Sequence, residues 1–476
     1  MQKNNFQKMF IDTTESLDLS YHEINDEDME IICGELKKNE KLKTLFLYQN
    51  KFTEKGLKTL TNSLVDKKNL HELNLSQNEI SDKGISFISD LINKNGNLKE
   101  IYLSRNNISK DGAETISNSL KNNNSIETLD LSMNNIGNEG IKWISSSLET
   151  NTTLSTINLS LININDEGMK IFSESLKKNN SLKIIFLCYN IFHSEGINYL
   201  SKAIEFNQNI TELYIWDITL EDQGLKYLSN SLKKNKTLKK LVISDNSISS
   251  DGMGYLSEAL NENISLVHLN VENNMISEHG ALNIKNSKFL IKNKILEFFS
   301  ISSNDIYNDG SIHIFNQISE NISVKELNLS FNSLSNKCVE SLSQMLFKNS
   351  TLKSLNLSKN EFDDNDANII ANSLLFNDTI TSINLLENLV GEKLLEKIDF
   401  LCDSNQEWNS NIHSSFHYCI RQVIFNFVCS LKINRFKSPK FVLFEIIKQI
   451  NRKSFLFLFE TKPIDQKLSK KRKEIN

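Results

Sequence analysis

Apolar residues recur along this chain at one interval. LKTLFLYQNKFTEKGLKTLTNSLVDKKN, from Leu42, aligns with LHELNLSQNEISDKGISFISDLINKNGN, from Leu70. LKEIYLSRNNISKDGAETISNSLKNNNS (Leu98) and IETLDLSMNNIGNEGIKWISSSLETNTT (Ile126) continue the series. Each unit has 28 residues and the pattern LxxLxLxxNxIxxxGxxxLxxxL. Further units open at Leu154, Leu182, Ile210, Leu238, Leu266, Leu296, Val324, Leu352 and Ile380. A degenerate unit around Leu17 and Leu19 precedes them, with His22 where the asparagine should stand, and the unit from Leu266 is longer by two residues.

Within a unit, Leu45 and Leu47 alternate with outward residues, which predicts a short strand with one buried face. Leu57, Leu60 and Leu64 follow at i, i+3 and i+7, the apolar stripe of an amphipathic helix. Alternating strands and helices force a parallel sheet with helices on its outer side. Helices are about 10 Å wide and strands about 4.8 Å apart, so the stack must curve with its strands inside. The expected fold class is therefore α/β: a horseshoe solenoid, parallel β-sheet inside and α-helices outside, with a small α-helical C-terminal extension. The expected divisions are an N-terminal segment (1–15), a solenoid of about 13 to 14 repeats (16–405), a helical extension (406–460) and a basic disordered tail (461–476).

Asn50, Asn78, Asn106, Asn134, Asn190, Asn246 and their successors form a column in which a side-chain amide can serve backbone groups that leave the strand ladder. Gly56, Gly84, Gly112 and their successors form another, suited to a tight turn or close approach at the helix entry. With its 28-residue unit, asparagine column and mid-repeat glycine, the chain resembles the ribonuclease-inhibitor-like class of leucine-rich-repeat proteins from about Ser16 to Asn405. The class includes enzyme inhibitors, Ran-type GTPase-activating proteins, tropomodulins and the sensor halves of NOD-like receptors. What the resemblance implies is a solenoid whose concave face binds another macromolecule, a statement about fold more than about chemistry.

Inward strand positions do not hold the stack together, and most are small or polar, as in the row Ser76, Ser104, Ser132, Ser160, Ser330 and Ser358. The exceptions cluster. Leu161, Phe186, Tyr189, Tyr214 and Trp216 lie on neighbouring repeats with Asp217 and Asp245, while Phe46, Tyr48 and Tyr102 form a smaller group nearer the start. Cys188 stands among the first set, and Glu212 and Glu272 flank it. Aromatic residues rimmed by carboxylates are the composition of an interface anchor, so the ten positions other than Cys188, Glu212 and Glu272 are the candidate partner-binding residues. The asparagine column is broken nearby by Ile162 and Ile218, which predicts either a mark of the site or a local kink.

Composition narrows the functional classes. Hydrophobic residues make up 39% and charged residues 24%, with two prolines and fifteen glycines, so this is neither a disordered chain nor a linker-rich one. From Glu407 onward fourteen lysines and arginines face five aspartates and glutamates, giving +9; the residues before it carry -14 of the net -5. An acidic body offers no broad basic face for nucleic acid. The opening MQKNNFQKMFIDTTES has no apolar core of a secretory leader, and no run approaches the ~18 apolar residues of a membrane span. Six cysteines without CxxC spacing read as reduced, mostly buried thiols, and the expected address is cytoplasmic.

No GxxxxGKS/T, GxSxG, HExxH or GxGxxG motif is present, so neither an enzyme nor a cofactor is expected. His413, His417 and Cys419 have helical spacing but lack a fourth ligand, and no metal site is expected there. The leading reading is a protein-interaction scaffold. Regulation of a small GTPase is a second reading; the Ran-type family carries a long acidic C-terminal stretch, whereas this chain ends basic. A third comes from SPKFVLFEII after Lys437, which resembles the Pro-led helix of F-box and SOCS-box modules and implies a ubiquitin-ligase adaptor; a helical cap on the last repeat is the plainer alternative. Lys470, Lys471, Arg472 and Lys473 suit nuclear import, and Phe455, Phe457 and Phe459 among basic residues suit weak peripheral contact with an anionic membrane. Nothing in the sequence sets an oligomeric state.

Overall fold

The computed structural model describes residues 15–411. Its strands are three residues each: β1 (Ser16–Asp18), β2 (Thr44–Phe46), β3 (Glu72–Asn74), β4 (Glu100–Tyr102), β5 (Thr128–Asp130), β6 (Thr156–Asn158) and β7 (Ile184–Phe186). There follow β8 (Glu212–Tyr214), β9 (Lys240–Val242), β10 (His268–Asn270), β11 (Phe298–Ser300), β12 (Glu326–Asn328), β13 (Ser354–Asn356) and β14 (Ser382–Asn384). They form one parallel sheet in sequence order, unclosed, with β1 and β14 at its edges. Each coil below takes the number of its strand.

A helix follows each strand: α1 (Asp26–Lys38), α2 (Glu54–Leu64), α3 (Asp82–Lys94), α4 (Lys110–Leu120), α5 (Gly137–Leu148), α6 (Asp166–Leu176) and α7 (Ser194–Phe206). After these come α8 (Glu221–Leu232), α9 (Ser250–Leu260), α10 (Ser277–Ser287), the short α11 (Phe289–Lys292), α12 (Tyr307–Ile318), α13 (Asn336–Lys348), α14 (Asp364–Leu374) and α15 (Glu392–Asn411). The two extra residues of the Leu266 unit fall here: Lys288, at φ 60, turns α10 into α11, and register resumes at His268 opposite Phe298. The boundary expected at residue 405 lies inside α15. The first six residues of the expected extension, 406–411, complete that helix, and the rest, with the adaptor-like segment, the HSSFHYC stretch and the basic run, lies outside the described residues.

The core is continuous from Leu17 to Cys402. The apolar triplet Leu57, Leu60 and Leu64 is fully covered, as are Leu45 and Leu47. Burial of this kind, at about 25 cal/mol per Å² of apolar surface, is the main term holding coil to coil. Polar groups left over by the turns are met by three stacked side-chain columns.

In the first, the Asn134 amide donates to the Leu103 and Leu131 carbonyls at 2.9 and 3.0 Å, and its Oδ1 accepts from the Asn106 and Ile108 amides at 2.9 and 3.0 Å. Removing it would orphan four buried backbone groups, each worth about 1–3 kcal/mol. Ile162 and Ile218 bury in this column without a kink, since the pairing from β5 to β9 stays in register. Their own amides still donate to Asn190 and Asn246 of the following coil, both at 3.1 Å.

The second column lies at the opposite turn, where helices end. Asn151 donates to the carbonyls of Leu120 (2.8 Å) and Asn123 (3.2 Å) and accepts from the amides of Thr153 and Leu154. Lys67 takes this place once, donating from Nζ to the Lys37 and Asn39 carbonyls, and burial pushes its pKa down. The third column joins helix starts. Asp26 Oδ1 accepts from the Thr53 and Gly56 amides, both at 2.9 Å, and Oδ2 from the Thr53 hydroxyl. Burial raises the Asp26 pKa, but these bonds outweigh it and hold the carboxyl below its usual range. A Cβ on Gly56 would lie 2.5 Å from that Oδ1, so of the two roles expected for the glycine column, close approach is the one this position needs.

Candidate functional site

Each strand turns inward two side chains, and the turn that follows presents more. Phe186 on β7 pairs in register with Tyr214 on β8, and their rings stack at 4.3 Å between centroids, 17° between planes. The Lys240 ammonium of β9 lies over the Tyr214 ring at 5.2 Å, and the Tyr214 hydroxyl donates to Glu212 Oε2 at 2.8 Å. Burial first, then that carboxylate, raises the Tyr214 pKa. Just past the strand ends, Tyr189 meets Trp216 edge to face at 4.4 Å. Four of the expected aromatics thus form two ring pairs across coils 7 and 8.

Tyr189 belongs to a column with an unusual backbone. In every coil the residue before the asparagine position is left-handed: Met133 has φ 57, Leu161 51, Tyr189 55, Asp217 53 and Asp245 56. A non-glycine residue in this region costs about 1–2 kcal/mol. Here the conformation is held by ladder bonds that continue beyond the strands, with the Met133, Leu161 and Tyr189 amides donating to the Ser160, Cys188 and Trp216 carbonyls at 2.9, 2.8 and 3.1 Å. The consequence is outward display: Met133, Leu161 and Tyr189 are 43%, 39% and 42% exposed on three consecutive coils. Asp217 and Asp245 occupy the next two. The phenol of Tyr189 is pushed up by desolvation and by the charges of Asp217 and Asp245, which places the three in one electrostatic neighbourhood.

Cys188, which stands between Phe186 and Tyr189 in the sequence, is buried as expected of the cysteines; its thiol lies 3.5 Å from the Tyr214 carbonyl, and burial raises its pKa. The smaller group does not hold together as a unit. Tyr48 packs edge-on against Tyr21 at 5.1 Å, whereas Asn74 on β3 stands between Phe46 and Tyr102. Tyr102 instead donates to Glu100 Oε2 at 2.7 Å. The sequence reading missed Met133, although it shares the 28-residue column of Leu161 and Tyr189. It also missed His268 on β10, whose ring stacks on Phe298 at 3.8 Å and 3°.

Further along the inner face Glu272 is held by three donors: Ser300 Oγ at 2.5 Å, Asn328 Nδ2 at 2.8 Å and Asn270 Nδ2 at 3.1 Å. Among the described residues no group of three or more His, Cys, Asp or Glu side chains is arranged to hold a metal ion, and no helix is long and apolar enough to cross a membrane.

Models of the Leucine Rich repeat match residues 15–33, 66–89, 94–117, 122–145, 150–172, 234–257 and 348–367, and a second such model matches 323–345. The chain is a leucine-rich-repeat solenoid. No curated protein matches it. Among solved structures this solenoid is similar to an internalin from Listeria monocytogenes (21% identity over 77% of this chain and 86% of that one, TM-score 0.42). It is similar too to a chain of the yeast Rad7 and Elc1 complex (15%, 82% and 84%, TM-score 0.48) and to the actin-binding site 2 of leiomodin-1 (17%, 34% and 91%, TM-score 0.30).

Proposed function

We propose that the protein is an interaction scaffold that grips a protein partner on the inner wall of coils 5 to 9. The observation that carries this reading is the aromatic cluster Phe186, Tyr214, Tyr189 and Trp216, continued by exposed Met133 and Leu161 and flanked by Asp217 and Asp245. Large aromatic side chains clustered on a surface and bordered by polar residues are the usual energetic centre of an interface. The neighbouring serines of coils 5 and 6, Ser132 and Ser160, and the smaller aromatic group of coils 2 to 4 then serve as surroundings rather than anchors. The 28-residue unit, with its asparagine ladder and its glycine admitting a carboxylate at the helix entry, also supports placing the chain in the ribonuclease-inhibitor-like class.

The test is affinity capture from the native cell with the intact chain, the variant Tyr214→Ala/Trp216→Ala, and Tyr102→Ala as a control of the same chemistry on a distant strand. Loss of the captured partner is expected with the double variant and retention with the control. The two ring contacts removed are worth about 0.5–1.5 kcal/mol each beyond area burial, small against a solenoid core, so the melt should move little. Undiminished capture by the double variant places the site elsewhere.

A further inference from the structure

The left-handed column reads, from coil 4 to coil 9, Arg105, Met133, Leu161, Tyr189, Asp217 and Asp245: a cation, three apolar residues, two carboxylates. Arg105 and Asp217 are exposed, and Asp245 half-buried. Three further charged groups of this wall already have partners within the fold. Glu212 takes the Tyr214 hydroxyl, Glu272 takes three donors, and the Lys240 ammonium rests on the Tyr214 ring. Asp245 accepts from the Asn273 amide, a neutral donor like those of Glu212 and Glu272, so its charge stands. Like charges on neighbouring coils repel, so Asp217 and Asp245, at the same place on successive coils, gain from a cation placed between them.

Resting on the reading of this wall as the binding face, we infer that its occupant is a polypeptide segment with apolar side chains in its middle and an arginine-bearing basic end, docked so that the basic end lies over Asp217 and Asp245. Arginine fits better than lysine. Its planar guanidinium can bridge two carboxylates while its face rests on Trp216 or Tyr189. The row from Met133 to Asp245 crosses four coil steps, about 19 Å, which matches about six residues of extended chain or about thirteen of helix. Arg105 on the far flank repels a basic group there, so the segment has one favoured direction.

The probe is a random dodecapeptide display library selected against the intact chain. Enriched peptides are expected to carry arginine to one side of an apolar pair. They should bind at least ten-fold more weakly to Asp217→Lys/Asp245→Lys, and unchanged to Glu326→Lys, a carboxylate on the same face but three coils beyond Asp245. Replacing their arginines by lysine should weaken binding several-fold. Peptides that need Trp216 yet bind the double-lysine variant undiminished overturn the basic-segment inference and leave the binding wall in place. A selection that yields nothing dependent on Trp216 or Tyr214 overturns both. Displacement of the selected peptides by a synthetic peptide of residues 461–476, with the same dependence on Asp217 and Asp245, makes the chain's own basic end the occupant and overturns the assignment to a separate partner.

Discussion

The imidazole of His268 lies flat on the Phe298 ring, and burial, then the nearby Lys240 ammonium, lowers its pKa to about 4. In the unfolded chain the same group titrates near 6.5. Above pH 6.5 both states are neutral and the contact is undisturbed. Between 6.5 and 4 the unfolded chain takes up a proton that the folded chain resists, so stability falls as the pH drops through this window. His268→Phe keeps a flat ring and removes the titration. The urea midpoint of the wild type is expected to fall more between pH 7 and pH 4.5 than that of His268→Phe; parallel declines would mean that His268 is not the group responsible. The units opening at Leu266 and Leu296 put His268 and Phe298 at the same position, but neither residue continues the aromatic run of coils 7 and 8, and only the structure shows the two rings lying flat on each other. Met133 was hidden differently. It stood in the right column, but only the left-handed turn shows that this column faces outward.

At the scale of one coil, the apolar positions and the asparagine of the strand-side turn were legible because their spacing carries the signal directly. The helix-side column of Asn95, Asn123, Asn151 and Asn179 is equally periodic, but in a chain rich in asparagine its spacing alone does not set it apart. Its function shows only when the carbonyls it serves are in view. Two glycines of adjacent helices separate the same issue into opposite signs. Gly34, exposed within α1, has nothing within 4 Å of an added Cβ, so Gly34→Ala should stabilise by about 0.5–1 kcal/mol through helix propensity alone. Gly56 opens α2 against Asp26 Oδ1, and Gly56→Ala should expel that carboxylate, losing charge-assisted bonds and costing at least about 2 kcal/mol. Urea midpoints that shift in the same direction for both would contradict the carboxylate link.

Among the described residues each inner coil pairs with two neighbours and coils 1 and 14 with one, so stability approximates a chain of nearest-neighbour terms. On coil 14, Leu386 and Leu389 are 60% and 74% exposed. Opening from an end therefore exposes less than opening in the middle. The wall proposed to bind a partner spans coils 5 to 9, flanked by at least four coils on either side, and so sits where the stack is hardest to open. A rigid wall loses little conformational freedom when it is occupied, which favours affinity from few contacts. Amide exchange tests the gradient: β5 to β9 should exchange at least ten-fold more slowly than β1 and β14, and Trp216→Ala should leave that ratio intact while removing capture. Exchange at one rate from end to end would instead mean that the solenoid opens as a single unit, and the central position of the aromatic cluster would then bring it no added stiffness.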